Sequence, residues 1–213
     1  MSRRIIEKVP EDLLKSDLEK YREKAVELGA TDAKIITADM VVVDERVRAK
    51  CRYPKCAWYG TNAHCPPNSM DVKDVRELVD KFKYGIFCDI RVPSELLTGQ
   101  QVLKVGSHVP SALKMYEIVS RIEADAFYDG YHLALGFALG PCKLFFCPKQ
   151  ECSALVTGQG CRHPLKARSS MEGMGMDVYT MATKVGWDVY PIGSKVQPGD
   201  IPHGHRLGLV LVY

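Results

Sequence analysis

The chain has 213 residues, 46% of them hydrophobic, and a formal net charge of +3. That is ample apolar material for one large domain or two small ones with a core that needs no disulfides. The charge is too small to imply nucleic acid by itself.

The opening MSRRIIEKVPEDLLKSDLEK lacks the apolar stretch of a secretory signal, and no later run reaches the length of a membrane-spanning helix. The expected location is therefore the cytoplasm, with no membrane partner. Eight cysteines in such a chain favour metal binding over disulfide pairing, because a reducing compartment keeps thiols free.

Leu14, Leu18, Tyr21, Ala25 and Leu28 recur at steps of four and three, which predicts an amphipathic helix over residues 10–28, stopped by Gly29. The run AKIITADMVVVD reads as a strand over 33–44. Next comes CRYPKCAWYGTNAHCPP, Cys51 to Pro67. Val72, Val75, Val79 and Phe82 mark a second helix, and YGIFCDIRV a second strand.

The same order then repeats. Ala112, Met115, Val119, Ile122 and Ala126 predict a helix ending near Gly130, and HLALGFAL a buried strand. The second cysteine loop, CPKQECSALVTGQGCRHP, runs from Cys147 to Pro164. Met171, Met174, Val178, Met181 and Val185 predict a further helix, whose methionines read as core packing and not as a soft-metal surface. WDVYPIG and HRLGLVLVY read as strands, the last completing the internal sheet or pairing with another subunit. The expected fold is α/β, with two pseudo-repeated helix-strand-cysteine loop-helix-strand halves, 1–95 and 107–213, joined by 96–106 and packed as one compact unit.

Both cysteine loops read C-x4-C-x8-C, and the serines that follow correspond as well, Ser69 before Met70 and Ser170 before Met171. Each serine is placed to cap the next helix, and Ser169 with Glu172 fits a capping box. Each loop is thus expected to bring its last cysteine near a helix N-terminus, whose partial positive charge suits thiolates.

The second loop offers four ligands, Cys142, Cys147, Cys152 and Cys161, enough to close a zinc site or hold an iron-sulfur cluster. No C-x2-C pair is present, and the wide, even spacing suits four separate iron corners better than one tetrahedral ion. The first loop offers three, Cys51, Cys56 and Cys65, with Arg46 where Cys142 would correspond. A fourth ligand comes from Cys88 or His64, or one iron stays open to substrate. Cys88 equally reads as a buried core residue, and His203 and His205 as an exposed loop. Trp58, Tyr59, Phe145 and Phe146 either shield clusters from water or anchor the loops. Lys50, Arg52 and Lys55 flank the first loop, and Lys143, Lys149, Arg162, Lys166 and Arg168 the second, offering positive charge to a cluster or an acidic partner. Nucleotide-binding glycine loops, G-x-S-x-G and H-E-x-x-H are not in the sequence.

The combination CRYPKCAWYGTNAHCPPN, GPCKLFFC and CRHPLKARSSMEGMGMDV resembles a family of predicted metal-binding proteins found largely in anaerobic bacteria and archaea. The resemblance runs from about Cys51 to the end of the chain. It implies metal binding, as 4Fe-4S clusters, in an anaerobic cytoplasm. The family's cysteine motifs fall on Cys51, Cys56, Cys65, Cys142, Cys147, Cys152 and Cys161, and Cys88 lies outside them.

The leading expectation is a two-cluster protein that passes electrons to a redox protein partner, as carrier or accessory subunit. One alternative makes the three-cysteine site catalytic through an open iron, with Arg46, His64, Lys50 or Arg52 orienting substrate. Another places zinc at one or both sites in a structural or interaction protein, although no aromatic and basic interleaving supports a nucleic-acid partner.

Overall fold

In the computed structural model, which describes residues 2–100 and 105–213, the first apolar repeat forms α1 (Glu11–Glu27), with Leu14, Leu18, Tyr21 and Ala25 buried on one side. β1 (Asp32–Thr37) follows, then α2 (Glu45–Arg52), α3 (Val72–Val79), β2 (Tyr84–Pro93) and α4 (Val105–Tyr128). β3 (Leu135–Phe137), α5 (Cys142–Phe146), α6 (Ser153–Val156), α7 (Val178–Lys184) and β4 (His203–Leu211) complete the chain. The fold is mixed α/β, as expected. The expected connection over 96–106 falls partly on 101–104, which lie outside the described residues, and α4 already begins at Val105.

The strands form one sheet in the order β1-β2-β4-β3, every neighbouring pair antiparallel. The strand pair of the first half thus lies beside that of the second, and the last strand is internal. Side chains alternate across a strand, so Ile86, Cys88 and Val210 face α1 and α4, while Phe87, Leu209 and Leu211 face Val75, Val79, Met171 and Met181. Two apolar layers result, one on each face. α4 rides close to β4: a Cβ at Gly208 would stand 2.5 Å from Met115 Sδ and 2.7 Å from Val119 Cγ2. Among the described residues no helix is long and apolar enough to cross a membrane.

Several local expectations change. The strand expected over 33–44 ends at Thr37, because a 3-10 turn at Ala38–Met40 diverts the chain and Asp44 then caps α2 by accepting from the Arg46 N–H at 2.8 Å. The helix expected from Met171 to Val185 is split. A 3-10 turn at Glu172–Met174 closes on Gly175, whose φ of +83° is a left-handed value that stops helical winding. Here Gly175 O accepts from the Asp44 N–H and the Asp177 N–H donates to Val42 O, both at 2.8 Å. The methionine segment is therefore a strap bridged to the lead-in of α2. Met171, Met174, Met176 and Met181 are buried in the core, as expected.

HLALGFAL keeps only three strand residues, since Ala138 leaves β4 and bridges Ser170. WDVYPIG forms no strand; the Trp187 indole N–H instead donates to Asp32 Oδ2 at 2.9 Å. Ser170 Oγ accepts from the Gly173 N–H at 3.0 Å within the 3-10 turn, but the helix that follows begins only at Val178 and is capped by Asp177. Ser69 does not cap α3, and donates to Gly173 O at 3.3 Å, tying the two halves together. The capping box with Glu172 is replaced by a contact between Ser169 Oγ and His64 Nδ1 at 3.0 Å.

Candidate metal centre

The second loop is a succession of tight turns, each one delivering a cysteine. Cys142 opens α5 and Cys147 ends it, its N–H donating to Lys143 O at 3.0 Å. Cys152 precedes α6 and accepts at its carbonyl from the Leu155 and Val156 N–H groups, both at 3.0 Å. Ser153 Oγ donates to Gly160 O at 2.6 Å, which draws the chain back toward Cys161. The His163 N–H donates to Cys161 Sγ at 3.3 Å, a bond that strengthens when the sulfur carries thiolate charge.

Cys142, Cys147, Cys152 and Cys161 line one cavity, closed on one side by Phe146. Behind it Tyr116 packs edge-on to Phe146 at 5.0 Å, and Phe146 lies over His163 at 5.5 Å. The free volume is about 20 Å3, room for about one water-sized group. Among the described residues no three Cys, His, Asp or Glu side chains form a ready-made ion site. The four thiols must therefore move to take either an ion or a cluster. All eight cysteines are free thiols. The donor set itself, four thiols against an aromatic wall, fits a soft metal or cluster. Burial, and then the nearby cysteines, push the Cys142 thiol up to about 12, so binding displaces its proton.

The first loop is built differently. Cys51 sits in the last turn of α2, and its carbonyl accepts from the Cys56 N–H at 2.9 Å. Further turns follow, until the Gly60 N–H, at a φ of +74°, donates to Pro66 O at 2.7 Å and closes the loop around Cys65. Burial raises the Cys51 thiol, with charge on Cys56 and Glu172 adding to it, and burial also raises Cys65. Arg48, which sequence pattern did not single out, clamps this loop: it donates to Met70 O and to Ser69 O, and pairs with Asp71 at 3.1 Å.

The two loops meet at Asn62, a buried residue that the sequence reading missed. Its Oδ1 lies 3.5 Å from Cys142 Sγ of the other loop and accepts from the His64 N–H at 3.0 Å. Its carbonyl also accepts from the Cys65 N–H at 3.4 Å, and the Asn62 amide opposes the rise that burial causes in that thiol. One residue thus ties the two cysteine sets together. The available signal was a contrast between the loops, Thr61-Asn62-Ala63-His64 in one where the other has Thr157-Gly158-Gln159-Gly160.

The other candidates fall apart in space. His64 belongs to the first loop but lines the four-cysteine cavity. Burial, then the charge of Arg168, hold its imidazole below the usual histidine value. Arg46, the counterpart of Cys142, is turned to solvent and paired with Asp44. Cys88 lies in the middle of β2, opposite Ala33 and Gly208, fully buried among Ile86, Ala112 and Met115. It is not brought to either loop. His203 and His205 open β4 and are not the exposed loop expected of them. His205 has both ring nitrogens engaged, Nδ1 with Asp89 at 2.9 Å and Nε2 with Asp188 O at 3.0 Å.

No curated protein and no solved structure matches the chain. A family model described as predicted metal-binding protein (DUF2284) matches residues 34–212. The match takes in both cysteine loops, the joint between them and all four strands but the start of β1, and the chain belongs to this predicted metal-binding family.

Proposed function

We propose that the chain is an iron-sulfur protein of a reducing cytoplasm, with a 4Fe-4S cluster in each cysteine loop, that passes electrons to a protein partner as carrier or accessory subunit. The observation that carries this reading is the meeting of the two cysteine loops at Asn62, whose side chain contacts Cys142 Sγ and whose carbonyl accepts from the Cys65 N–H. Centres held so close exchange electrons readily. A bound cluster supplies reversible one-electron storage.

The chain's own residues have separable roles in this reading. Cys142, Cys147, Cys152 and Cys161 come from separate turns around one cavity, which suits four iron corners. The His163 N–H and the Asn62 side chain hold sulfur atoms and set how well each bears charge. Tyr116, Phe145 and Phe146 exclude water behind the second loop. Exposed Lys50, Arg52, Lys55, Lys149, Arg162 and Lys166 offer positive charge to an acidic partner.

One observation favours a second, enzymatic reading of the first loop. Arg46, the counterpart of Cys142, faces solvent. Of the two residues suggested as a fourth ligand for Cys51, Cys56 and Cys65, His64 lines the other cavity and Cys88 lies in the core, which supports an open iron there.

An anaerobic redox titration followed by electron paramagnetic resonance tests both readings. The carrier reading expects two reversible one-electron steps with signals that perturb each other; no reversible reduction ends it. The enzymatic reading expects added 2-mercaptoethanol to alter one signal and leave the other. Unaltered signals would remove the open site.

A further inference from the structure

Beside the segment that carries Cys142 lies a cavity of about 300 Å3 that the cysteine chemistry does not use. Its walls are largely apolar, with Leu139, Phe145, Val189 and Ile192 among them, and two charged residues, Glu172 and Arg206, also line it. Each of these carries an atom shut off from solvent without a hydrogen-bond partner among the described residues, Oε2 of Glu172 and Nη2 of Arg206. Arg206 is anchored from behind, donating from Nε to Ser111 Oγ at 3.3 Å. Glu172 is fixed by the 3-10 turn that the strap makes before Gly175.

Leaving one oxygen of a carboxyl and one nitrogen of a guanidinium without a hydrogen bond in an apolar surrounding is costly. Where a folded protein does so at one cavity, something else supplies the missing partners. The polar ends ask for complementary groups: Arg206 for an acid, Glu172 for a hydrogen-bond donor. His205, also on the wall, offers nothing further, because both its ring nitrogens are engaged. The volume is at the lower end for small-molecule sites.

We propose that this cavity binds a small carboxylic acid that carries an amino or hydroxyl donor and an apolar side chain. The carboxylate pairs with Arg206, the donor reaches Glu172, and the side chain packs on Leu139, Val189 and Ile192. Pro141, on the same wall, directly precedes Cys142, and the charge of Glu172 is felt at Cys51. The ligand therefore sits next to the four-thiol set. The inference stands whichever metal the loops hold.

Isothermal titration of the full, metal-containing chain tests it, using L-leucine, L-phenylalanine and 2-hydroxy-4-methylpentanoate as probes. At least one should saturate with a Kd of about 1 mM or tighter. For the leucine-shaped probes, 4-methylpentanoate, which lacks the donor, and 3-methylbutylamine, which lacks the acid, should each bind at least about tenfold more weakly. Arg206→Met should weaken the best probe by at least about tenfold, and Ile192→Trp, which fills the rim and leaves both charges, should abolish binding. The second variant decides the matter if the first does not fold. No saturation by any probe up to about 10 mM, or unchanged affinity in Ile192→Trp, would overturn the proposal and leave the cavity to water.

Discussion

In the second loop four cysteines line one cavity behind Phe146 and Tyr116, and the fourth of them is delivered by the start of α5. In the first loop three cysteines follow one another through turns at the end of α2, and the position corresponding to the fourth is Arg46, on the solvent side of that helix. Identical C-x4-C-x8-C spacing therefore does not make identical sites. What differs is the segment before the first shared cysteine and the residues between the last two. The second loop has Gly158 and Gly160 there and turns freely, while the first has Asn62 and His64, which leave their own loop and complete the wall of the other.

The largest effect that sharpens this comparison is expected from Cys142→Ala. It should remove about four irons per chain, with the matching loss of visible absorbance, while Cys51→Ala leaves the second centre's iron in place. Loss of all the iron from either single variant would break the comparison, since it would mean one centre shared between the loops.

Asn62→Leu should disturb both centres at once and keep their metal. Losing a hydrogen bond of about 1 kcal/mol to a sulfur shifts a one-electron couple by about 40 mV. A shift in a single potential would place Asn62 in one site only. Cys88→Val should leave metal content untouched and change stability by about 1 kcal/mol, the usual scale for a core swap of similar volume. Loss of iron from that variant would return Cys88 to the first site as a ligand.

The smallest effect sets a baseline outside both loops. Burial alone would lower the His205 imidazole, but its hydrogen bond to the Asp89 carboxylate and that charge outweigh burial and raise it. A value raised on folding means that the native state holds its proton more tightly. The stabilisation is complete below the unfolded value of about 6.5 and fades as pH rises through the higher folded value. Chemical denaturation across that range should show this slope in the parent chain, reduced in His205→Gln. A slope unchanged in His205→Gln would assign it to another group.

The parts legible in sequence are those with a period. Leu14 to Ala25, Ala112 to Ala126 and the alternation through β2 and β4 each bury one face, so pattern and structure agree. α2 was missed because it buries none of its residues and is polar all round, leaving no apolar repeat to read. The helix expected from Met171 was broken by backbone conformation at Gly175, which hydrophobic spacing does not record. The cysteine sets were legible as ligands, yet their joint was not. Asn62 and Arg48 act through single long-range contacts, and a lone polar residue in a loop or on a charged helix carries no periodic signal.

The most direct measurement is iron, zinc and acid-labile sulfide per chain on anaerobically purified protein, with the absorbance spectrum of the same sample. Two clusters predict about eight irons and eight sulfides in brown protein. Colourless protein with zinc and no sulfide would contradict the account, and the narrow cavity between the four thiols would then read as the seat of a single ion.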